Sequence, residues 1–391
     1  MIATTPSAWR LPDEIVSVNF LLANSEIVSA IERTRDNQEA LSRRLKYDFL
    51  TSGLKLNRQR SPEVFKVLDY LKQRFKLSER LEIYVTPANT SGASIFRVGH
   101  DHYIIHLSKL LFEILDVDEL TFVIAHELAH VAFQHFELNH IDTEKLPSRL
   151  SRALHQTKRY GEVSADLAAA SVTRDPTSGR RALAKLASGG LHKLIDLNLD
   201  ADQMQVEELH DILEEDASLF EVTCSHPASV LRMLILGLFE RHDGERSGST
   251  NPLKILHDQV NQLLELSFPR PSDQEEWLTI VGAFWVAFAD DDINFKERRE
   301  VAKLCSEGEF KELYGLCIEQ DSPSVFLAQQ FTESLEILNL SKSRSALLLE
   351  QIALIAMADG EVTEEEFGVL SEVCVRLQLD SAFLERLISV P

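Results

Sequence analysis

The chain has 391 residues, of which 44% are hydrophobic and 26% charged. That is the composition of a globular protein of two or three domains, and it excludes disordered and collagen-like chains. Acids outnumber bases 62 to 40, a formal charge of −22, so the surface would repel phosphate backbones and no nucleic acid is expected as partner. The apolar runs 278–289 and 233–239 fall short of the ~20 residues that cross a bilayer. The N-terminus lacks a basic stretch followed by an apolar core, and the four cysteines (Cys224, Cys305, Cys317, Cys374) form no Cys-x-x-Cys pair. A cytoplasmic protein with no transmembrane segment is expected.

Residues from about 24 to 50 read as a helix, and Pro62–Phe75 as a second. Leu81-Glu-Ile-Tyr-Val-Thr86 alternates and is followed by Pro87, which reads as a strand ending in a turn. Ala93–Val98 and His102–Leu107 are two further strands, joined as a hairpin through Gly99-His-Asp101. Asp116 with Glu119 three residues on has the pattern of a capping box, starting a helix expected to run through Phe136. Further helices are expected over Ser151–Val172 and from Pro227. The polar, Gly/Ser-rich stretch Arg241–Pro252 reads as a linker, and Pro269–Ser272 as a second break.

Beyond that break the composition shifts. Residues 271–391 carry 24 acids and 9 bases, in a pattern that is helical throughout. The segment Ala287–Glu297 is repeated at Ala356–Glu366, 69 residues on. Two copies point to a pseudo-symmetric helical domain rather than a solenoid. The expected fold is α+β and predominantly helical, with a core built on a small sheet, followed by an all-α domain. Four segments are expected: a helical segment over 1–60, a catalytic domain over 61–240, a linker and helix over 241–272, and an all-helical domain over 273–391.

The chemistry concentrates in His126-Glu127-Leu128-Ala129-His130. Residues four apart share a helical face, so both imidazoles can reach one Zn²⁺, and Glu127 can take a proton from water at the open position. Leu120, Ile124, Leu128 and Val131 form the opposite, buried stripe. A third-histidine pattern would need Gly at 133 and His at 136, where the chain has Phe133 and Phe136. The better third ligand is Glu162, with Asp166 one turn on to accept the second ring N–H of a ligand histidine and fix its tautomer. Small residues, Ala165 and Ala168–Ala170, would let that helix come close. Ser225-His226-Pro227 leaves two roles open for His226, donor to an oxyanion or fourth zinc ligand. Arg232 is placed to pair with a carboxylate near the site.

The ordered motifs His126–His130, Glu162-x-x-Ala165-Asp166 and Ser225-His226-Pro227-x4-Arg232 resemble the gluzincin family of HtpX, Oma and the CAAX-prenyl proteases over about residues 60–240. The Leu81–Leu111 stretch resembles that family's substrate-edge strand. The resemblance implies a zinc endopeptidase with one Zn²⁺ per chain and a polypeptide substrate. The chain departs from the family in lacking its common transmembrane helices, which suggests a soluble relative. Residues 273–391 resemble TerB-like tellurite-resistance domains through the two Ala-x-Ala-Asp blocks, which implies a helical acidic module linked to bacterial stress or defence.

Other motifs have plainer readings. His100, His102 and His106 share strand parity and read as a solvated or substrate-facing edge. His135 reads as a helix-surface histidine rotated off the metal face. Asp290–Asn294 lacks the Gly and Glu of a calcium loop and reads as helix capping. Cys224 has no accompanying base and reads as a buried thiol. The acid excess of the tail reads as a solvated face, or as a docking surface for a basic protein partner or for the chain's own basic segment Lys158–Arg159. The expected function is a regulated zinc endopeptidase, with Glu127 as general base and His226 assisting. The alternative is a latent or inactive peptidase acting as an interaction protein through its acidic C-terminal domain.

Overall fold

The computed structural model describes residues 6–87, 92–139, 141, 146, 148–173, 175, 177–190, 198–215, 227–244, 252–267, 273–290, 293–302, 304–305, 307–338, 340, 342–358 and 362–388. The chain divides into two compact units. The first holds residues 1–144, 153–207 and 223–264; the second holds 145–152, 208–222 and 265–391. Among the described residues it is mostly helical, with one small mixed sheet.

In chain order the elements begin with α1 (Pro12–Leu22), α2 (Ser25–Ser52), β1 (Leu54–Lys55) and α3 (Pro62–Phe75). The sequence reading expects a helical segment over 1–60 but bounds its first helix only from about residue 24, so α1 is not delimited there. Strands β2 (Arg80–Thr86), β3 (Ala93–Gly99) and β4 (His102–Ser108) follow, then α4 (Lys109–Ile114), α5 (Val117–Ala132), α6 (Phe136–Asn139), α7 (Ser148–Val172) and α8 (Ser178–Ala187). Next come α9 (Leu199–Glu215), α10 (Ser229–Gly244) and α11 (Pro252–Ser267). Helix α10 therefore runs four residues into the stretch expected to be linker. No single described helix is long and apolar enough to cross a membrane.

Helix α3 shows why the local sequence suffices in places. Proline stands at its first turn, Val64, Leu68, Leu71 and Phe75 form one buried stripe, and Lys76 in the left-handed region ends it. The sheet order is β1-β2-β4-β3. Strands β3 and β4 form the expected antiparallel hairpin, whereas β2 pairs β4 in parallel, with Ile83 opposite Ile105. Side chains alternate across the sheet. Phe49 of α2 covers one face, with its ring 5.5 Å from Phe96 and 5.6 Å from Tyr84. On the opposite parity, Tyr103 packs 5.2 Å from Phe136, just beyond α5. This order leaves β3 at an edge of the sheet.

The second unit is built on α12 (Asp273–Ala287), α13 (Phe295–Val301), α14 (Glu307–Ile318), α15 (Pro323–Glu336), α16 (Lys342–Ala356), α17 (Glu364–Arg376) and α18 (Ser381–Ile388). Beyond its acidic first turn helix α12 is apolar on every side from Trp277, as a central helix must be, and buries Leu278, Val281, Phe284 and Trp285. The internal repeat has a physical counterpart. Helices α13 and α17 each open with a capping box, Asn294 with Glu297 and Thr363 with Glu366. Arg344 on α16 donates to both carboxylate oxygens of Glu275 on α12, at 2.7 and 2.8 Å, across the same 69-residue offset.

Candidate metal centre

Helix α5 is fixed at its start by local chemistry. The Asp116 carboxylate accepts from the N–H groups of Asp118 and Glu119, each at 2.9 Å, and Glu119 accepts in return from the Asp116 N–H. Glu119 also receives Lys185 at 2.7 Å and Arg181 at 3.0 Å, which ties α8 to the same helix. From Thr121 to Val131 every residue of α5 is buried, so the polar trio His126, Glu127 and His130 sits inside a helix that solvent does not reach freely. Ile124, Leu128 and Val131 form the expected buried stripe, and Leu120 is half-buried.

His126, His130 and Glu162 come together from α5 and α7 into a group able to hold a metal ion. The two Nε2 atoms are 3.1 Å apart. Glu162 bridges them, with Oε2 at 3.3 Å from His126 and Oε1 at 3.4 Å from His130. A tetrahedral zinc with bonds of ~2.0–2.1 Å has ligand–ligand edges of about 3.3 Å. The donor set therefore matches in both chemistry and spacing.

Each histidine is oriented from behind. Asp166 lies one turn after Glu162, with Oδ1 2.9 Å from His126 Nδ1. Arg232 on α10 grips Asp166 with two donors, Nε at 2.6 Å and Nη2 at 2.7 Å. Burial opposes a charge on His126, but Asp166 and Glu162 outweigh it and raise the imidazole to about 10. Burial likewise works against the Asp166 carboxylate, yet Arg232 and His126 hold it below the usual range. Burial would lower Arg232, but Asp166, Glu162 and Glu127 keep it firmly charged. His130 goes the other way: burial, with His126, His135 and Arg232 nearby, pushes it well down despite Glu162, which favours the neutral ring a ligand needs.

The structure corrects the reading of His135. Helix α5 does not run through Phe136; it ends at Ala132, and Gln134 takes a left-handed conformation with φ of 60°. The His135 N–H then returns to the His130 carbonyl at 3.1 Å and the Gln134 N–H to Val131 at 3.2 Å, a Schellman closure. This turn brings His135 Nδ1 to 2.7 Å from His130 Nδ1, and its Nε2 to 3.0 Å from Glu14 Oε1 on α1. Gly161 makes the room, since a Cβ there would lie 3.2 Å from the His135 ring. Glu14 is buried, and burial would raise its carboxyl, but His135 and Arg10 hold it low. Sequence reasoning missed both residues. The signal for the turn was weak, because glutamine rather than glycine occupies the left-handed position.

Glu127 is buried beside His126 on α5, and Arg232 pairs with Asp166. His226 and Cys224 lie outside the described residues. Ala165, Ala168 and Ala169 are wholly buried on α7. His100 is exposed against Asp101, His102 faces Glu82 at 3.3 Å, and His106 meets Thr86 at 2.7 Å, so these three go to separate partners.

Two histidines and a carboxylate gathered at one buried point make a group that could hold a metal ion. Residues 59–147 match the model of Peptidase family M48, a segment that holds α3, the three longer strands and α5 with both histidines. The match supports a peptidase of that family; Glu162, Asp166 and Arg232 lie beyond it. No curated protein matches the chain, and no solved structure does.

Proposed function

We propose that the protein is a zinc-dependent endopeptidase. The observation that carries this reading is the convergence of His126, His130 and Glu162, at zinc-ligand spacing, in a segment that begins with a peptidase-family match. A zinc ion held by those three residues would supply Lewis acidity and lower the pKa of its water toward ~7. Glu127 takes the proton of the attacking water and passes it to the leaving amine. Asp166 and Arg232 hold His126, while His135 and Glu14 hold His130, so the ligands are set before metal and substrate arrive. His226 is assigned to the oxyanion or to a fourth ligand position. The polypeptide adds as a strand along the β3 edge.

We place the chain in the cytoplasm, in keeping with the buried Cys317 and Cys374 as free thiols. The second unit is read as a TerB-like acidic module that recruits a protein partner in a stress or defence setting. The test is degradation of casein, together with zinc stoichiometry. Wild type should degrade casein and bind one zinc. Glu127→Gln should bind zinc but be inactive, and Glu162→Ala should lose the metal. Full-affinity zinc in Glu162→Ala, or casein degradation by Glu127→Gln, would remove the assignment.

A further inference from the structure

We propose that the cavity beside the histidine–glutamate cluster is a substrate subsite that takes a carboxylate, with Lys158 as the counter-charge and α1 as one wall. The inference rests on the peptidase reading and names a chemical class of substrate for it.

A cavity of about 380 Å³ borders the candidate metal centre, with His130 and Glu162 in its lining. That volume lies in the range of small-ligand pockets. Val18 and Leu22 of α1 and Phe133 and Leu138 near the end of α5 make part of the lining apolar. Glu14, Val18 and Leu22, spaced by four, form one ridge of α1 along the cavity, and Arg10 just before the helix extends it. Hydrogen bonds from the Leu11 N–H to Ser164 and between Ser17 and Thr157 dock α1 against α7.

The lining holds two cations, Arg10 and Lys158, and two carboxylates, Glu14 and Glu162, and the carboxylates are engaged elsewhere than at Lys158. Arg10 is taken by Glu14 at 2.6 Å, and Glu14 also meets His135. Glu162 faces the two histidines. Lys158 remains, one turn before Glu162, and no carboxylate among the described residues lies within ion-pair distance of it. Burial lowers its pKa with no acid countering the effect. A half-buried ammonium in a partly apolar cavity is completed by an anion, and the anion a polypeptide offers is a carboxylate. The source is either an Asp or Glu side chain beside the scissile bond or a free C-terminus.

Binding of fluorescent peptides to the full chain carrying Glu127→Gln separates these cases without turnover. The probes are a short unstructured Ala/Leu/Gly peptide with a central Glu, Gln or Lys and an amidated end, and the Gln peptide with a free carboxylate end. The Glu peptide, the free-acid peptide, or both should bind on the order of tenfold more tightly than the amidated Gln peptide, and which of them does identifies the source. Adding Lys158→Met should bring that ratio to about one, and Lys158→Glu should shift preference to the Lys peptide. Equal binding of the Glu, free-acid and amidated Gln peptides, or an unchanged ratio in Lys158→Met, overturns the proposal. Lys158-dependent preference with no casein degradation by wild type would sink the peptidase reading and leave the subsite. Casein degradation with no such preference would do the reverse.

Discussion

Asp166→Ala tests how the candidate centre is braced. Asp166 has 1% of its side chain exposed and Arg232 has 14%, and two short hydrogen bonds join them. Removing one partner of a buried pair costs ~3–5 kcal/mol, because the other charge is left unpaired. Glu162, 3.9 Å from Arg232 Nη1, and the nearby Glu127 offset part of that loss. The lower end, about 3 kcal/mol, is therefore expected, a change of more than a hundredfold in the folding equilibrium. Denaturant unfolding of metal-stripped full-length protein measures this without any contribution from the ion. The double variant Asp166→Ala/Arg232→Met removes the orphaned guanidinium and should recover about 2 kcal/mol. Zinc affinity, measured by chelator competition, should fall by about 10–100-fold in Asp166→Ala, because His126 loses the group that orients its ring. A loss under about 1 kcal/mol in the single variant, with no recovery in the double, would refute the reasoning.

Glu82 predicts an acid-sensitive sheet. Burial disfavours its charge, but Lys55 at 2.8 Å and the other groups around it lower the carboxyl to about 2. The folded value lies below the ordinary 4.5, so the stabilisation is present above pH 4.5 and is lost as pH falls toward 2. Lys55 and Arg80 are substantially exposed and therefore screened, so about 1–3 kcal/mol is expected. Wild type should exceed Glu82→Gln by that amount at neutral pH and by much less at pH near 2; a gap independent of pH counts against the pairing. Gly282→Ala should destabilise the second unit by about 1–3 kcal/mol, since the added Cβ collides with Ile352 and Phe331, and calorimetry should show the shift. Cys317, buried with its thiol pushed up to about 12, should react with iodoacetamide only on unfolding, which peptide mapping would reveal.

The parts of the molecule legible in advance are those set within a few residues. Asp116 and Glu119 cap α5 because both partners of the box lie in one turn. Pro62–Phe75 carries its own start signal and buried stripe. The capping expected within Asp290–Asn294 is made by Asn294, and the matching box at Thr363, which the sequence reading did not mark, closes in the same way. The β3–β4 hairpin was likewise visible, since two residues suffice to turn the chain. The parallel pairing of β2 with β4 was not, because a residue-level alternation carries no strand direction.

By itself, then, the sequence determined the helical spacing that puts two imidazoles on one face of α5, and the caps and turns that bound the elements. These depend on interactions spanning three or four residues, which the order of the chain dictates. Only the tertiary structure decided that Glu14 would stand behind His135, 121 residues away, that Arg232 would grip Asp166, 66 residues away, and that α1 would wall a cavity beside the cluster. Those partners are chosen by which faces pack together, and a left-handed residue at Gln134 is enough to redirect one histidine from the surface into the centre.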